Sequence, residues 1–202
     1  MKNDNALKEL SNADPILARI IGTIEWSEIP STHNVFHDLI SCVVEQQIHY
    51  RSTKKIFKKM LSNSNLEFIT PINFSDFIEK GIANYKLSTS KYETLNNVAE
   101  FWSIHPNLNW QQLTDEEVRN SLSKIKGIGS WTIDMILLYT LERLTIFPVD
   151  DFHLKEIMVQ LYGLNPNNKL KKQMLIIAES WGMPTSLAVR YLLAWKSYTK
   201  KP

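Results

Sequence analysis

Apolar residues recur along this chain every three or four positions with polar residues between them, the period of an amphipathic helix. Ile16, Ile20 and Ile24 repeat in steps of four, with Leu17 and Ile21 beside them. Asp14 stands where a cap belongs and Pro15 fits a first turn. Phe36, Leu39, Ile40, Val43 and Val44 form a second stripe, and Ile56, Phe57, Met60 and Leu61 a third. A short helix is expected around "SDFIEKG", closed by Gly81. "STSKYETLNNVAEFW" starts from a Ser or Thr cap and carries Tyr92, Leu95, Val98, Ala99 and Trp102. Thr114 and Glu117 have capping-box spacing ahead of a helix that runs to about Ser123. "SWTIDMILLYTLER" is helical and largely apolar, and three more helices follow in "DDFHLKEIMVQLYG", "NKLKKQMLIIAESW" and "PTSLAVRYLLAWKSY". Only "RLTIFPV" has β character, and it is short and interrupted by proline. The pattern predicts an all-α fold of about ten helices, without solenoid repeats or low-complexity linkers.

Composition narrows the class. The 202 residues are 44% hydrophobic and 22% charged, ordinary values for one large or two small globular domains. A net charge of +2 permits nucleic acid as a partner without arguing for it. Cys42 is the only cysteine, set in the apolar run "LISCVV", where a buried thiol is expected. One cysteine excludes an internal disulfide, a cysteine zinc tetrad and a four-cysteine iron–sulfur cluster. Neither a signal peptide nor a run of ~18 apolar residues is visible, so a soluble, intracellular and cytoplasmic protein is expected; it is also expected to be a monomer.

The segment "KIKGIGSW" places Gly127 and Gly129 between two predicted helices. Glycine permits positive φ and lets backbone approach a ligand closely. A helix beginning near Ser130 would present unpaired N–H groups and a positive dipole end, an anion site flanked by Lys124 and Lys126. The same residues also serve a plain helix–helix turn.

The wider pattern decides for function. "LSKIKGIGSWTIDMILLYTL" followed by "FPVDDFHLKE" resembles the helix-hairpin-helix DNA glycosylases, in particular the alkylation-repair branch of DNA-3-methyladenine glycosylase II type. Trp131 and Asp151 stand twenty residues apart, as in that family. "FHDLISCVVEQQI", "YKLSTSKYETL" and "LTDEEVRNSL" match further family segments, so the resemblance spans roughly residues 35–195. It implies a central helical domain at 35–143 and a second domain from 1–34 with 144–202, DNA lying between them. It implies excision of alkylated purines such as 3-methyladenine and 7-methylguanine from double-stranded DNA.

By the same resemblance Asp151 is the catalytic carboxylate and Asp150 the helix cap; local sequence alone reads both acids as no more than a cap and a first-turn charge. The lyase branch carries a lysine where this chain has Trp131, so a monofunctional enzyme with no required cofactor is expected. The base pocket would comprise Trp131, Met135 and Phe36, although Trp131 equally suits core packing and Phe36 equally fills its own stripe. DNA contacts would come from Lys126, Gly127, Gly129, Ser130 and Thr132, from Gln47 as the wedge, and from His49 and Lys91. Arg51, Lys55 and Lys59 share a face that is either DNA-facing or merely solvated. The carbonyls of Ser123, Ile125 and Ile128 would hold a monovalent cation. Pro184 and Thr185 stand where relatives often carry an aromatic and an arginine, which implies a more open pocket and narrow activity. Two other readings remain: a helix-hairpin-helix protein that only grips DNA, and a glycosylase for other damaged bases.

Overall fold

A computed structural model describes residues 2–25, 31–45 and 54–199. Gln47, His49 and Arg51 lie outside the described residues, as does the side chain of Lys55. The elements in chain order are α1 (Lys2–Ala13), α2 (Pro15–Thr23), α3 (Val35–Glu45), α4 (Lys54–Asn63), α5 (Phe74–Asp76), α6 (Thr89–Ile104), α7 (Asp115–Leu122), α8 (Ser130–Met135), α9 (Phe152–Tyr162), α10 (Leu170–Glu179) and α11 (Thr185–Tyr198). Single π-helical turns continue α5 over Phe77–Gly81 and α8 over Ile136–Thr140. The architecture is all-α, and "RLTIFPV" is irregular backbone. No helix among the described residues is long and apolar enough to cross a membrane.

The chain divides into two compact units, Met1–Pro30 with Glu142–Pro202, and Ser31–Leu141. In the first, α2 packs on α1 and α11, and α9 on α10 and α11. Its polar centre is Asp14, 5% exposed. One carboxylate oxygen accepts the amides of Ile16 and Leu17 at 2.8 and 3.1 Å, capping α2 ahead of Pro15. The other accepts the Tyr162 hydroxyl at 2.7 Å and the Trp181 indole N–H at 2.8 Å. A single buried charge thus ties the start of α2 to the end of α9 and to the turn after α10.

In the second unit every residue of α3 is buried, which is why its sequence is apolar on nearly all sides. Two of its polar members bond across the unit: Asp38 Oδ2 accepts the hydroxyls of Thr32 and Thr140, each at 2.6 Å, and His37 Nδ1 accepts the Ile69 amide at 3.0 Å. Cys42 is a buried thiol. The expected capping box forms, with Thr114 and Glu117 exchanging bonds at the head of α7. Backbone and hydroxyl bonds from Thr114 hold the Glu117 carboxyl below the usual carboxylate range.

Gly81 corrects one expectation. It does not close its helix in a left-handed cap, since the glycines with positive φ are Gly127, Gly163 and Gly182. Space requires it instead: a Cβ there would lie 2.9 Å from the Met60 carbonyl oxygen and 2.8 Å from the Phe77 ring.

Candidate functional site

Between α7 and α8 the backbone tightens. The Ile125 amide bonds to Leu122 O at 3.1 Å, and the Ile128 amide bonds to Ile125 O at 3.0 Å, closing a four-residue turn. Gly127 has φ +97° and Lys126 is not among the positive-φ residues, which makes this a type II turn with Gly127 in its obligatory glycine position. Ile125 and Ile128 are buried and anchor the turn, while Lys124, Lys126, Gly127, Gly129 and Ser130 are exposed. Gly129 is the N-cap of α8 and makes no side-chain cap bond. The amides of Gly127, Gly129 and Ser130 donate to nothing among the described residues. The segment is both things the sequence allowed, a tight turn and a row of open donors beside two lysines, suited to one anion. Arg119 on α7 and Asp134 on α8 tie the two helices with a bond of 2.6 Å.

The two glycines have different causes. At Gly129 a Cβ would meet nothing within 4 Å. At Gly127 it would lie 2.1 Å from Thr94 Oγ1, because the turn is pressed against α6. Gly127→Ala is therefore expected to destabilise the protein by about 2–4 kcal/mol, overpacking added to left-handed strain. Urea denaturation checks this, and the loss should shrink in a Thr94→Ala background. An unchanged midpoint would mean that the turn is not seated on α6.

In the first unit the two adjacent acids part company. Asp151 is 6% exposed and is the N-cap of α9, its Oδ1 accepting the Leu154 amide at 2.7 Å. Asp150 is exposed, with Lys155 Nζ at 3.3 Å and Lys171 Nζ at 2.5 Å. The expected assignment of Asp150 as cap is thus corrected: Asp151 holds the β-region backbone that an N-cap needs (φ −62°, ψ 124°). The bond from Lys171 above all, with Lys155 behind it, holds the Asp150 carboxyl below its ordinary range.

Residues 40–183 match the family described as HhH-GPD superfamily base excision DNA repair protein. The chain belongs to this family. Among its relatives is DNA-3-methyladenine glycosylase 1 of Schizosaccharomyces pombe, 28% identical over 193 residues, covering 91% of this chain and 83% of that one. The alkylbase DNA glycosidase-like protein of the same yeast is 29% identical over 164 residues, covering 79% and 76%. A solved structure of the S. pombe 3-methyladenine DNA glycosylase in complex with abasic DNA superposes with TM-score 0.80 at 27% identity, covering 96% of this chain and 97% of that one.

Of the expected pocket residues in this HhH-GPD chain, Trp131 is partly exposed in the first turn of α8. Met135 and Phe36 are each 2% exposed and lie among the buried apolar residues. Phe36 meets Phe74 and Trp102 edge-on, ring centroids 5.8 and 5.2 Å apart. Of the expected DNA contacts, Thr132 is buried, 2% exposed. Lys91 is not a free phosphate ligand: its Nζ donates to the Val44 carbonyl at 2.7 Å, a cation at the C-terminal end of α3. Burial lowers its pKa against the opposing pull of Glu45. Pro184 and Thr185 are buried and begin α11, with Thr185 Oγ1 donating to Gly182 O at 2.6 Å.

Among the described residues no group of three or more His, Cys, Asp or Glu side chains could hold a metal ion. The hairpin carbonyls differ in kind. That of Ile125 accepts the Ile128 amide, whereas those of Ser123 and Ile128 accept none of the described side-chain or turn hydrogen bonds. Oxygen donors of this sort fit a hard monovalent cation.

Proposed function

We propose that this HhH-GPD protein is a monofunctional DNA glycosylase that removes alkylated purines, of the 3-methyladenine and 7-methylguanine type, from double-stranded DNA in base-excision repair. The observation that carries the reading is the hairpin turn with three unbonded amides on exposed residues, followed at the family interval by a carboxylate at the head of a helix. The hairpin amides and Lys126 grip a phosphodiester without reading sequence. The damaged nucleotide leaves the stack, and Trp131 offers an indole face to the cationic purine. The C1′–N bond then breaks and the purine departs with its electron pair, neutralising its own positive charge. The carboxylate of Asp151 stabilises the oxocarbenium-like sugar and takes a proton from the water that adds to C1′. The product is an abasic site on an uncut strand. Trp131 has no amine to form a Schiff base, so no lyase step follows. No cofactor enters the reaction; the carbonyls of Ser123, Ile125 and Ile128 would hold a monovalent cation that adds positive charge near the gripped phosphate. The protein acts as a monomer in the cytoplasm.

Incubation with methylated duplex DNA, identification of the released bases and gel analysis of the strand test this together. Free 3-methyladenine and 7-methylguanine with no nick are expected. Release of hypoxanthine at a comparable rate would contradict the alkylpurine preference. A nick trapped by borohydride would contradict the monofunctional mechanism. Duplex binding with no base released would leave the grip without the chemistry, a reading favoured by one observation, that Asp151 already has a structural duty as the cap of α9.

A further inference from the structure

We propose that Asn97 is a positioning residue for DNA binding: by holding the Lys126 carbonyl it fixes the central peptide of the hairpin turn and aims the Gly127 amide outward. The proposal rests on the phosphate-gripping role given to the hairpin above. Asn97 lies on α6, partly exposed, and its Nδ2 donates to Lys126 O at 2.9 Å across 29 residues of sequence. Among the described residues neither the Asn97 side chain nor the Lys126 carbonyl makes another hydrogen bond.

The peptide between Lys126 and Gly127 is the one that distinguishes turn types. Type I and type II turns differ by a rotation of about 180° of that unit, and glycine at the third position accepts both. No cis peptide bond occurs among the described residues, so the Lys126 carbonyl and the Gly127 N–H point in opposite directions from one plane. With the carbonyl drawn toward α6, the N–H is directed away from it, on the exposed side where the Gly129 and Ser130 amides also stand open. Rotated the other way, the turn would place a carbonyl oxygen among those amides, facing the phosphate with the wrong charge. Thr94 supports the same seat. It lies three residues before Asn97 on the same helical face, and its hydroxyl donates to Ser90 O at 2.9 Å. Its side chain fills the space behind Gly127, where a Cβ would lie 2.1 Å from Oγ1. One helix face thus holds the turn at two points, and Asn97 is the point that sets its polarity.

The test measures duplex affinity and excision kinetics on methylated DNA for wild type, Asn97→Ala, Asn97→Gln and Lys126→Ala. Asn97→Ala should raise Kd and KM about 3- to 10-fold, the worth of one oriented hydrogen bond, with kcat at saturating DNA unchanged. It removes no charge, so the slope of log affinity against log salt stays at the wild-type value, whereas Lys126→Ala flattens the slope by about one. Asn97→Gln, which keeps the donor, should recover most of the affinity. Wild-type affinity in Asn97→Ala, or a loss of kcat at unchanged KM, overturns the assignment. Should Asn97→Ala melt more than about 4 °C below wild type, Asn97→Gln decides: recovered affinity supports the role and unrecovered affinity overturns it. A wild-type protein that releases methylated bases while Asn97→Ala behaves identically refutes the positioning role alone. A wild-type protein that binds no duplex refutes the functional reading and this one with it.

Discussion

Replacing Asp151 by asparagine is expected to lower the single-turnover rate of base release from methylated duplex DNA by about 10²- to 10⁴-fold. Duplex affinity should stay within about threefold of wild type, since the contacts assigned to phosphate lie on the hairpin. The choice of asparagine matters because Asp151 caps α9 as well as carrying the proposed catalytic role. Its Oδ1 caps α9 through the Leu154 amide, and asparagine ranks with aspartate at an N-cap. The exchange removes negative charge from beside the sugar and keeps the helix start. Alanine removes both, and should cost about 1 kcal/mol of stability in addition to the activity. Melting temperature therefore separates the two variants where activity does not. An asparagine variant that releases base at the wild-type rate would exclude Asp151 from the chemistry.

Asp14→Ala should produce the largest loss of stability, about 4–7 kcal/mol. The cap of α2 contributes about 1 kcal/mol, and the hydroxyl of Tyr162 and indole of Trp181 each lose a bond to a charged acceptor worth about 1.5–3 kcal/mol. Against a total of about 5–15 kcal/mol this is a large share. Asp14→Asn should fall between, because it keeps the cap yet turns an NH₂ or a single carbonyl toward two donors. Urea denaturation followed by circular dichroism gives the comparison. A shift under about 1 kcal/mol for alanine would show that the network does not hold the unit together. The same site sets an alkaline limit. Burial first, and Asp14 second, push the Tyr162 phenol above its ordinary range. The stability this lends is intact below the unfolded phenol value of about 10 and declines as pH rises beyond it.

What the sequence revealed follows the range of each interaction. The helices were legible because their period is local, and so were the caps at Asp14 and Thr114, whose partners lie within three residues. The other half of Asp14 was not: its bonds reach 148 and 167 residues along the chain. The hairpin was legible from its glycines, but only Gly127 owes its identity to the fold, and neither Thr94 nor Asn97 carried any mark of its contact with the turn. Asp134, an acid in an apolar helix, was a signal left unused; it is buried and paired with Arg119. Lys91 and Lys126 look alike as letters, yet one is consumed by a helix end and the other is exposed. The order of Asp150 and Asp151 was misread because two consecutive acids can each cap a helix, and only the backbone angles show which one does. The π-helical turn at Ile136–Thr140 falls in a run buried on nearly every side, where a shift of register leaves no trace in the apolar pattern.

If Asp151 serves the chemistry proposed for it, its place at the head of α9 bears on how such a protein can lose its trade. A lineage that gave up catalysis would still be under selection to start α9 cleanly, so drift at this codon is channelled toward asparagine, serine or threonine. A retired member would thus look nearly intact, its helix sound and its hairpin unaltered, with the change of livelihood written in a single exchange of one capping side chain for another.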